Sequence, residues 1–286
     1  MITTSKLTLP APAKLNLMLH ITGQRADGYH DLQTLFQFLD YSDQLHFEAL
    51  DHPEIELITD FPGVDIEDNL ITRAARLLQQ QSKTKKGARI AIEKIIPMGG
   101  GLGGGSSNAA TTLVGLNKLW HTGLSLHDLA SLGLQLGADV PVFIHGHAAW
   151  AQGVGEHLEK VTLTEPYFLI INPQCHIGTA EIFSHKELTR NTSPITIATA
   201  LKQGGRNDCE SVVKKLYPPV KHALEWLNQF ADAKMTGTGS SLFAGFLTRA
   251  KADQVLAQLP LPMTGFIAKG LNLSPLHQTA RIHIEL

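Results

Sequence analysis

Between Pro97 and Ser107 the chain reads PMGGGLGGGSS, that is Pro97, Met98, Gly99, Gly100, Gly101, Leu102, Gly103, Gly104, Gly105, Ser106 and Ser107. Six of the seven residues from 99 to 105 are glycine. Glycine tolerates positive φ and lets backbone amides approach a ligand with no Cβ in the way. An apolar, strand-like segment (Ala88 to Ile96) runs into the loop, and an alanine-rich, helix-like one leaves it from Ser106 or Ser107 to about Trp120. Such a loop aims unpaired N–H groups and the positive end of a helix dipole at one point, which suits a phosphate. A flexible linker would not be flanked so tightly.

Several phosphate chemistries use glycine loops, and the neighbouring residues separate them. Gly99, Gly101 and Gly104 satisfy the dinucleotide pattern, but that pattern needs an acid on a second strand roughly 20 residues on, where this sequence reads as helix. A Walker A loop needs Lys-Ser or Lys-Thr after its last glycine; here Ser106-Ser107 follows. Neither H-R-D nor D-F-G of the protein kinases is present. What remains is a phosphate-cradling loop that lacks its own lysine. Asp139 lies in a turn before an apolar VPVF segment, where it suits either a base accepting a hydroxyl proton or an N-cap for a Pro141-started turn. Lys14 sits among apolar strand residues, which suits a site lysine or an edge lysine with its head in water. Asn16 falls on the same strand face as Lys14.

These groups must be held by a mixed set of elements. Leu7 to Thr22 is expected to be extended, followed by an Asp27-Gly28 turn and short strands at Gln33 to Asp40, Asp43 to Ala49 and Glu54 to Ile58. Helices are expected over Asn69 to Gln81 and Leu126 to Leu136, the latter with Gly137 as its C′ residue. ADVPVFIHG reads as a turn leading into a short apolar element, and the pattern loosens from Gly153 to Thr164. The second half carries a strand at Tyr167 to Asn172 and a helix near Pro219 to Phe230. A small Gly/Thr/Ser loop at Thr236 to Ser241 leads into a strand at Leu242 to Leu247, a helix near Ala250 to Leu259 and a strand at Phe266 to Leu271. Strands and helices mix without strict βαβ repetition, so the fold class is α+β. With 286 residues, two domains are expected, 1–162 and 163–286.

The bulk numbers exclude whole classes. Hydrophobic residues are 43% and charged residues 17%, as in a packed globular protein. A net charge of −2 gives no concentrated basic face, so neither nucleic acid nor a membrane surface is an expected partner. Two cysteines make no disulfide framework, no apolar run is long enough to span a bilayer, and the first residues form no secretory signal. Cytoplasm is the expected compartment. Oligomeric state has no signal here.

The loop resembles the second motif of the GHMP kinases (galactokinase, homoserine kinase, mevalonate kinase, phosphomevalonate kinase). APAKLNLMLHI (Ala11 to Ile21) is similar to their first motif and KMTGTGSSLFA (Lys234 to Ala244) to their third. RADGYHDL, GADVPVFIHG and AKGLNLSPLH narrow the resemblance to the subgroup that phosphorylates 4-diphosphocytidyl-2-C-methyl-D-erythritol at its 2-hydroxyl in the non-mevalonate isoprenoid route. The resemblance implies a ribosomal-protein-like N-terminal domain and a ferredoxin-like C-terminal one, with the active site between them. It implies ATP and Mg²⁺, a catalytic pair of Lys14 and Asp139, and a cytidine diphosphate-linked small molecule as substrate. On that reading Tyr29 stacks on the cytosine, His30 hydrogen-bonds its edge, Phe183 covers the other face and Thr179 touches substrate; Asn16 suits either a bond to substrate or one to the Lys14–Asp139 pair. Asn69 and Lys94 are candidates for the adenine end, although a helix N-cap and a surface lysine suit them nearly as well. Ser106 or Ser107 could offer Mg²⁺ a hydroxyl; no carboxylate ligand stands out. A kinase for another alcohol and a nucleotide-binding protein without turnover are the rivals.

Overall fold

A computed structural model describes residues 5–61 and 63–281. The first four residues of the N-terminal segment and the last five of the 163–286 unit lie outside them. In chain order the elements are β1 (Lys6–Gln24), β2 (His30–Leu50), β3 (Ile55–Leu57), α1 (Leu70–Ser82), β4 (Gly87–Glu93), α2 (Gly104–Trp120), α3 (Leu126–Leu134), α4 (Val140–His145), β5 (Ala149–Gly153) and β6 (His157–Lys160). There follow β7 (Tyr167–Asn172), α5 (Thr179–Ser184), α6 (Ile197–Gln203), α7 (Glu210–Leu216), α8 (Pro218–Leu227), β8 (Ala233–Met235), β9 (Leu242–Phe246), α9 (Arg249–Leu256), β10 (Thr264–Leu271) and α10 (Pro275–Ala280). The fold is α+β, as the sequence implies, and no described helix is long and apolar enough to cross a membrane.

One continuous sheet runs β3-β4-β2-β10-β7-β9-β8, with β1 and β5 pairing β2 and β6 pairing β5. β10 joins the two halves: Thr264 to Lys269 pairs with β7, and Gly270 and Leu271 pair with β2. Two main cores lie along it. Phe38, Leu45 and Phe47 pack with Leu78 of α1 and Leu113 of α2 in the first. Leu169, Val213, Val220 and Leu242 form the second, which Leu19 and Ile21 of β1 also enter. Leu276 and Ala280 return to the first core, so the chain closes back over its N-terminal half.

The structure corrects several expectations. The two short strands expected at 33–40 and 43–49 are one strand, β2. Its polar midsection, Asp40-Tyr41-Ser42-Asp43, imitates a turn, yet Asp40 Oδ1 accepts from Lys269 N at 2.6 Å and Asp43 is fully buried with partners of its own. The apolar element after Asp139 is a helix, α4, started by Pro141. Gly137 is not a left-handed cap; α3 stops at Leu134, and Gly137 N donates to Gly133 O. The loosened stretch after Gly153 contains the end of the β5–β6 hairpin. The six- and seven-residue helices α5, α6, α7 and α10 are too short to give a periodic stripe.

α10 also anchors α4. His277 is buried, its Nε2 donates to Ile144 O at 2.7 Å, and its ring packs against Gly146. Burial pushes the imidazole down to about 4, helped by the nearby charges of His147 and His145 and opposed by the bond to Ile144. The neutral ring therefore belongs to the folded state and the protonated ring to the unfolded one. Its stabilisation is fully present above the ordinary histidine value and is lost as pH falls toward 4. Between about pH 7.5 and about pH 5 this one group accounts for about 2 kcal/mol. Urea unfolding at those two values is expected to show a His277→Gln variant losing that much less stability than the wild type; an equal loss would mean that His277 titrates normally.

Candidate active site

The site is built on the free edge of β1. The β1–β2 register shifts between Pro12 and Lys14 and again between Asn16 and Leu19. Such bulges re-aim residues and release backbone groups from a ladder. Lys14 N donates to Leu102 O at 3.0 Å, and Asn16 N donates to Thr236 Oγ1 at 2.9 Å. β1 therefore grips the glycine loop at one residue and the β8–β9 loop two residues later. These loops also grip each other: Ser241 N donates to Gly100 O at 3.2 Å, and Thr236 Oγ1 to Gly101 O at 3.2 Å. Gly101 has φ +74°, and a Cβ there would lie 2.3 Å from Thr236 O, so this close approach admits only glycine.

Gly103, with φ 73°, is the N-cap of α2 and brings no side chain to cap it. The first N–H groups of this 17-residue, almost wholly buried helix are thus left for a ligand. They face a cavity of about 550 Å³ lined by the loop from Pro97 to Ser106, by Lys14 and Asp139, by Asn69 and Lys94, and by Thr179 and Phe183. Its size is that of a small-molecule site. Ser107 is fully buried, and its hydroxyl has no partner among the described residues; Ser106 is the serine on the cavity wall.

Lys14 and Asp139 meet here. Lys14 Nζ lies 3.1 Å from Asp139 Oδ2, with side chains 3% and 35% exposed, so the ammonium is buried while the carboxylate reaches the cavity. Lys14 also donates to Asn16 Oδ1 and to Gly101 O. Its three protons are thereby spent on fixed partners, which sets the carboxylate's orientation. Asp139 does occupy the N-cap position of α4, but its side chain makes no cap hydrogen bond. Asn16 serves this pair: its oxygen accepts from Lys14, and its nitrogen donates to Thr34 Oγ1 at 3.0 Å.

Asn69 caps α1, its Oδ1 accepting from Ile71 N at 2.9 Å, and still lines the cavity. Lys94 is no free surface lysine. Its ammonium pairs with Asp43 Oδ2 at 2.7 Å and sits beside Gly104, at the glycine-loop end of the cavity. Asp43 accepts also from Ile95 N and Ile96 N at 2.8 Å each and from Asn108 Nδ2 at 2.9 Å. One buried carboxylate thus ties the segment entering the glycine loop to the helix leaving it.

Phe183 and Thr179 also line the cavity, and Thr179 Oγ1 is 3.1 Å from Thr238 Oγ1. His30 is buried behind Phe183, the ring centroids 5.1 Å apart. Tyr29 is 63% exposed at the loop tip, and neither it nor His30 belongs to the cavity wall.

Residues 69–147 match the family described as GHMP kinases N terminal domain, and residues 186–264 match GHMP kinases C terminal. Over 276 residues the chain is 57% identical to a 4-diphosphocytidyl-2-C-methyl-D-erythritol kinase of Pseudomonas fluorescens, covering 96% of this chain and 98% of that one. The chain belongs to the 4-diphosphocytidyl-2-C-methyl-D-erythritol kinase family of GHMP kinases. A relative from Chromohalobacter salexigens is 54% identical over 98% of this chain and 96% of its own length. A crystal structure of 4-(cytidine 5'-diphospho)-2C-methyl-D-erythritol kinase superposes with a TM-score of 0.79 at 30% identity, covering 92% of this chain and 99% of that one. The Methanococcus jannaschii mevalonate kinase shares the fold, with a TM-score of 0.68 at 16% identity over 95% of this chain and 99% of its own.

Sequence reasoning missed three residues that shape the site of this kinase. Asp43 had a signal, an acid beside apolar strand residues, but the sequence places it only at the start of a short strand. Thr236 lies in a motif already singled out, but its grip on β1 is a contact across 220 residues. Arg190 donates through Nε to His30 Nε2 at 3.0 Å across 160 residues, and nothing local announces it.

Proposed function

We propose that this chain transfers the γ-phosphoryl group of ATP to the 2-hydroxyl of 4-diphosphocytidyl-2-C-methyl-D-erythritol, as a cytoplasmic step toward isoprenoid precursors. The observation that carries it is the Lys14–Asp139 pair standing in the same cavity as the uncapped start of α2. The glycine loop and Lys94 hold the triphosphate, and the nitrogen of Asn69, left free by its capping bond, is assigned to the adenine end. Phosphoryl transfer asks mainly for positioning and charge stabilisation. Asp139 accepts the proton of the 2-hydroxyl as that oxygen bonds to the γ-phosphorus and the bond to the β-phosphate oxygen breaks, releasing ADP. Lys14, 3.1 Å away, keeps Asp139 aimed.

Thr179, Phe183 and His30 are assigned to the cytidylyl end, and Tyr29 to the open face of the base. Stacking on such rings contributes roughly 1–3 kcal/mol per base in nucleic-acid-binding proteins. For Mg²⁺ the cavity wall offers the Ser106 hydroxyl, which would join phosphate and water oxygens around a hard cation that keeps several waters. When bound, the ion neutralises charge on the phosphates. The two main cores support division into units 1–162 and 163–286, with β1, β10 and α10 crossing between them.

ADP release measured over a panel of alcohols tests the assignment. The cytidylyl substrate is expected to exceed mevalonate, homoserine and galactose by more than about 100-fold in kcat/KM, since a site built around polar partners rejects compounds lacking them. Comparable rates with any of those three would point to the rival alcohol kinase, and no ADP with any to a binding protein.

A further inference from the structure

His30 is held by a residue outside every motif. Arg190 lies between α5 and α6, and its guanidinium makes four hydrogen bonds. Nε donates to His30 Nε2 at 3.0 Å, Nη1 to Leu188 O at 3.1 Å, and Nη2 to Phe183 O at 2.7 Å and His185 O at 3.0 Å. Three backbone carbonyls fix the fork, so it cannot swing away from the imidazole. An arginine is only a donor, so the nitrogen facing it has to carry a lone pair. The one proton of a neutral imidazole is then on Nδ1. Among the described residues Nδ1 has no hydrogen-bond partner, and it is not among the sealed, unpartnered atoms. Burial lowers the affinity of His30 for a second proton, and the charge of Arg190 lowers it further.

We propose that Arg190 is a positioning residue for base selection: it locks His30 as the Nδ1–H tautomer, so that the imidazole offers the pyrimidine edge a donor and no acceptor. This deepens the proposed function and rests on it for the identity of the base. The chemistry then discriminates. Cytosine presents an acceptor at N3, whereas uracil presents N3–H, a donor. A lone Nδ1–H suits the first and opposes the second, and the opposed pair leaves two buried donors unsatisfied. The same guanidinium holds the carbonyl of Phe183, whose ring lies 5.1 Å from that of His30, so one side chain sets both the edge reader and its aromatic neighbour. The null account is that Arg190 only tethers the 183–190 segment; the tautomer separates the two.

The experiment is a long-range ¹H–¹⁵N correlation spectrum of His30 in the full-length protein, assigned with His30→Gln, and then titrations with CDP and with UDP. The wild type is expected to show a neutral ring protonated at Nδ1 and a preference for CDP of roughly tenfold or more. In Arg190→Lys or Arg190→Met the ring is expected to become a mixture of tautomers. The CDP preference then falls about tenfold, and KM for the cytidylyl substrate rises while kcat stays within about threefold. A wild-type ring protonated at Nε2 overturns the proposal whether or not the variants fold. An Arg190→Lys protein with unchanged tautomer and unchanged preference does the same. Failure of the wild type to bind CDP at all, with the Nδ1–H tautomer present, would instead strike the substrate reading.

Discussion

Asp139→Asn is expected to lose about 10²- to 10⁴-fold in kcat while binding ATP nearly as the wild type does. The amide keeps the shape of the carboxylate and can still accept from Lys14, so α4 and the cavity wall are preserved. What disappears is the capacity to take a proton from the attacking hydroxyl. ATP binding should survive because Asp139 belongs to none of the hydrogen bonds that shape the glycine loop, which run to Lys14, Thr236 and Ser241. The pattern to look for is a fall in kcat with KM for ATP within a few-fold. Near-normal kcat would remove Asp139 as the base. A matching loss of ATP affinity would show that it acts on the loop instead.

Asp43→Ala is expected to be costly in a different currency, about 3–5 kcal/mol of folding stability, because it strands a cation and three other donors. Lys94 Nζ, Ile95 N, Ile96 N and Asn108 Nδ2 all converge on this carboxylate, which is wholly buried. Asp43→Asn keeps an acceptor for the two backbone amides but turns a donor toward Lys94 and Asn108, so its cost should be smaller yet still large. Lys94→Met should cost least of the three, since its ammonium is partly exposed. Urea unfolding gives the order, and KM for ATP in the variants that fold should rise more than KM for the alcohol. An Asp43→Ala protein of wild-type stability would mean that the network does not tie the glycine loop to its flanks.

The sequence was most legible where chemistry constrains residue type locally. The glycine loop, its flanking strand and helix, and α1 with its Asn69 cap follow from spacing and from backbone physics that a reader of one dimension can apply. Asp139 by itself read as an even choice between cap and base, and the family resemblance favoured the base. The structure removes the cap, because the side chain at the N-cap position makes no cap bond and turns to Lys14. Long-range contacts were not legible at all. Asp43 stood only as the first residue of a short strand, because its compensation comes from positions 51 to 65 residues away. Lys94 stayed open between the adenine end and a surface lysine for the same reason. Arg190 has no local pattern; only the fold brings it to His30. Short helices escaped for a simpler cause, since one or two turns cannot display a periodic stripe.

The most direct test is ³¹P NMR of the wild-type protein with Mg²⁺, stoichiometric ATP and 4-diphosphocytidyl-2-C-methyl-D-erythritol. The account predicts that the γ-phosphate signal is replaced by equal amounts of ADP and a new phosphomonoester coupled to no other phosphorus, with the diphosphate of the cytidylyl group intact. ADP accompanied by inorganic phosphate alone, or a phosphomonoester formed on mevalonate but not on this alcohol, would contradict it.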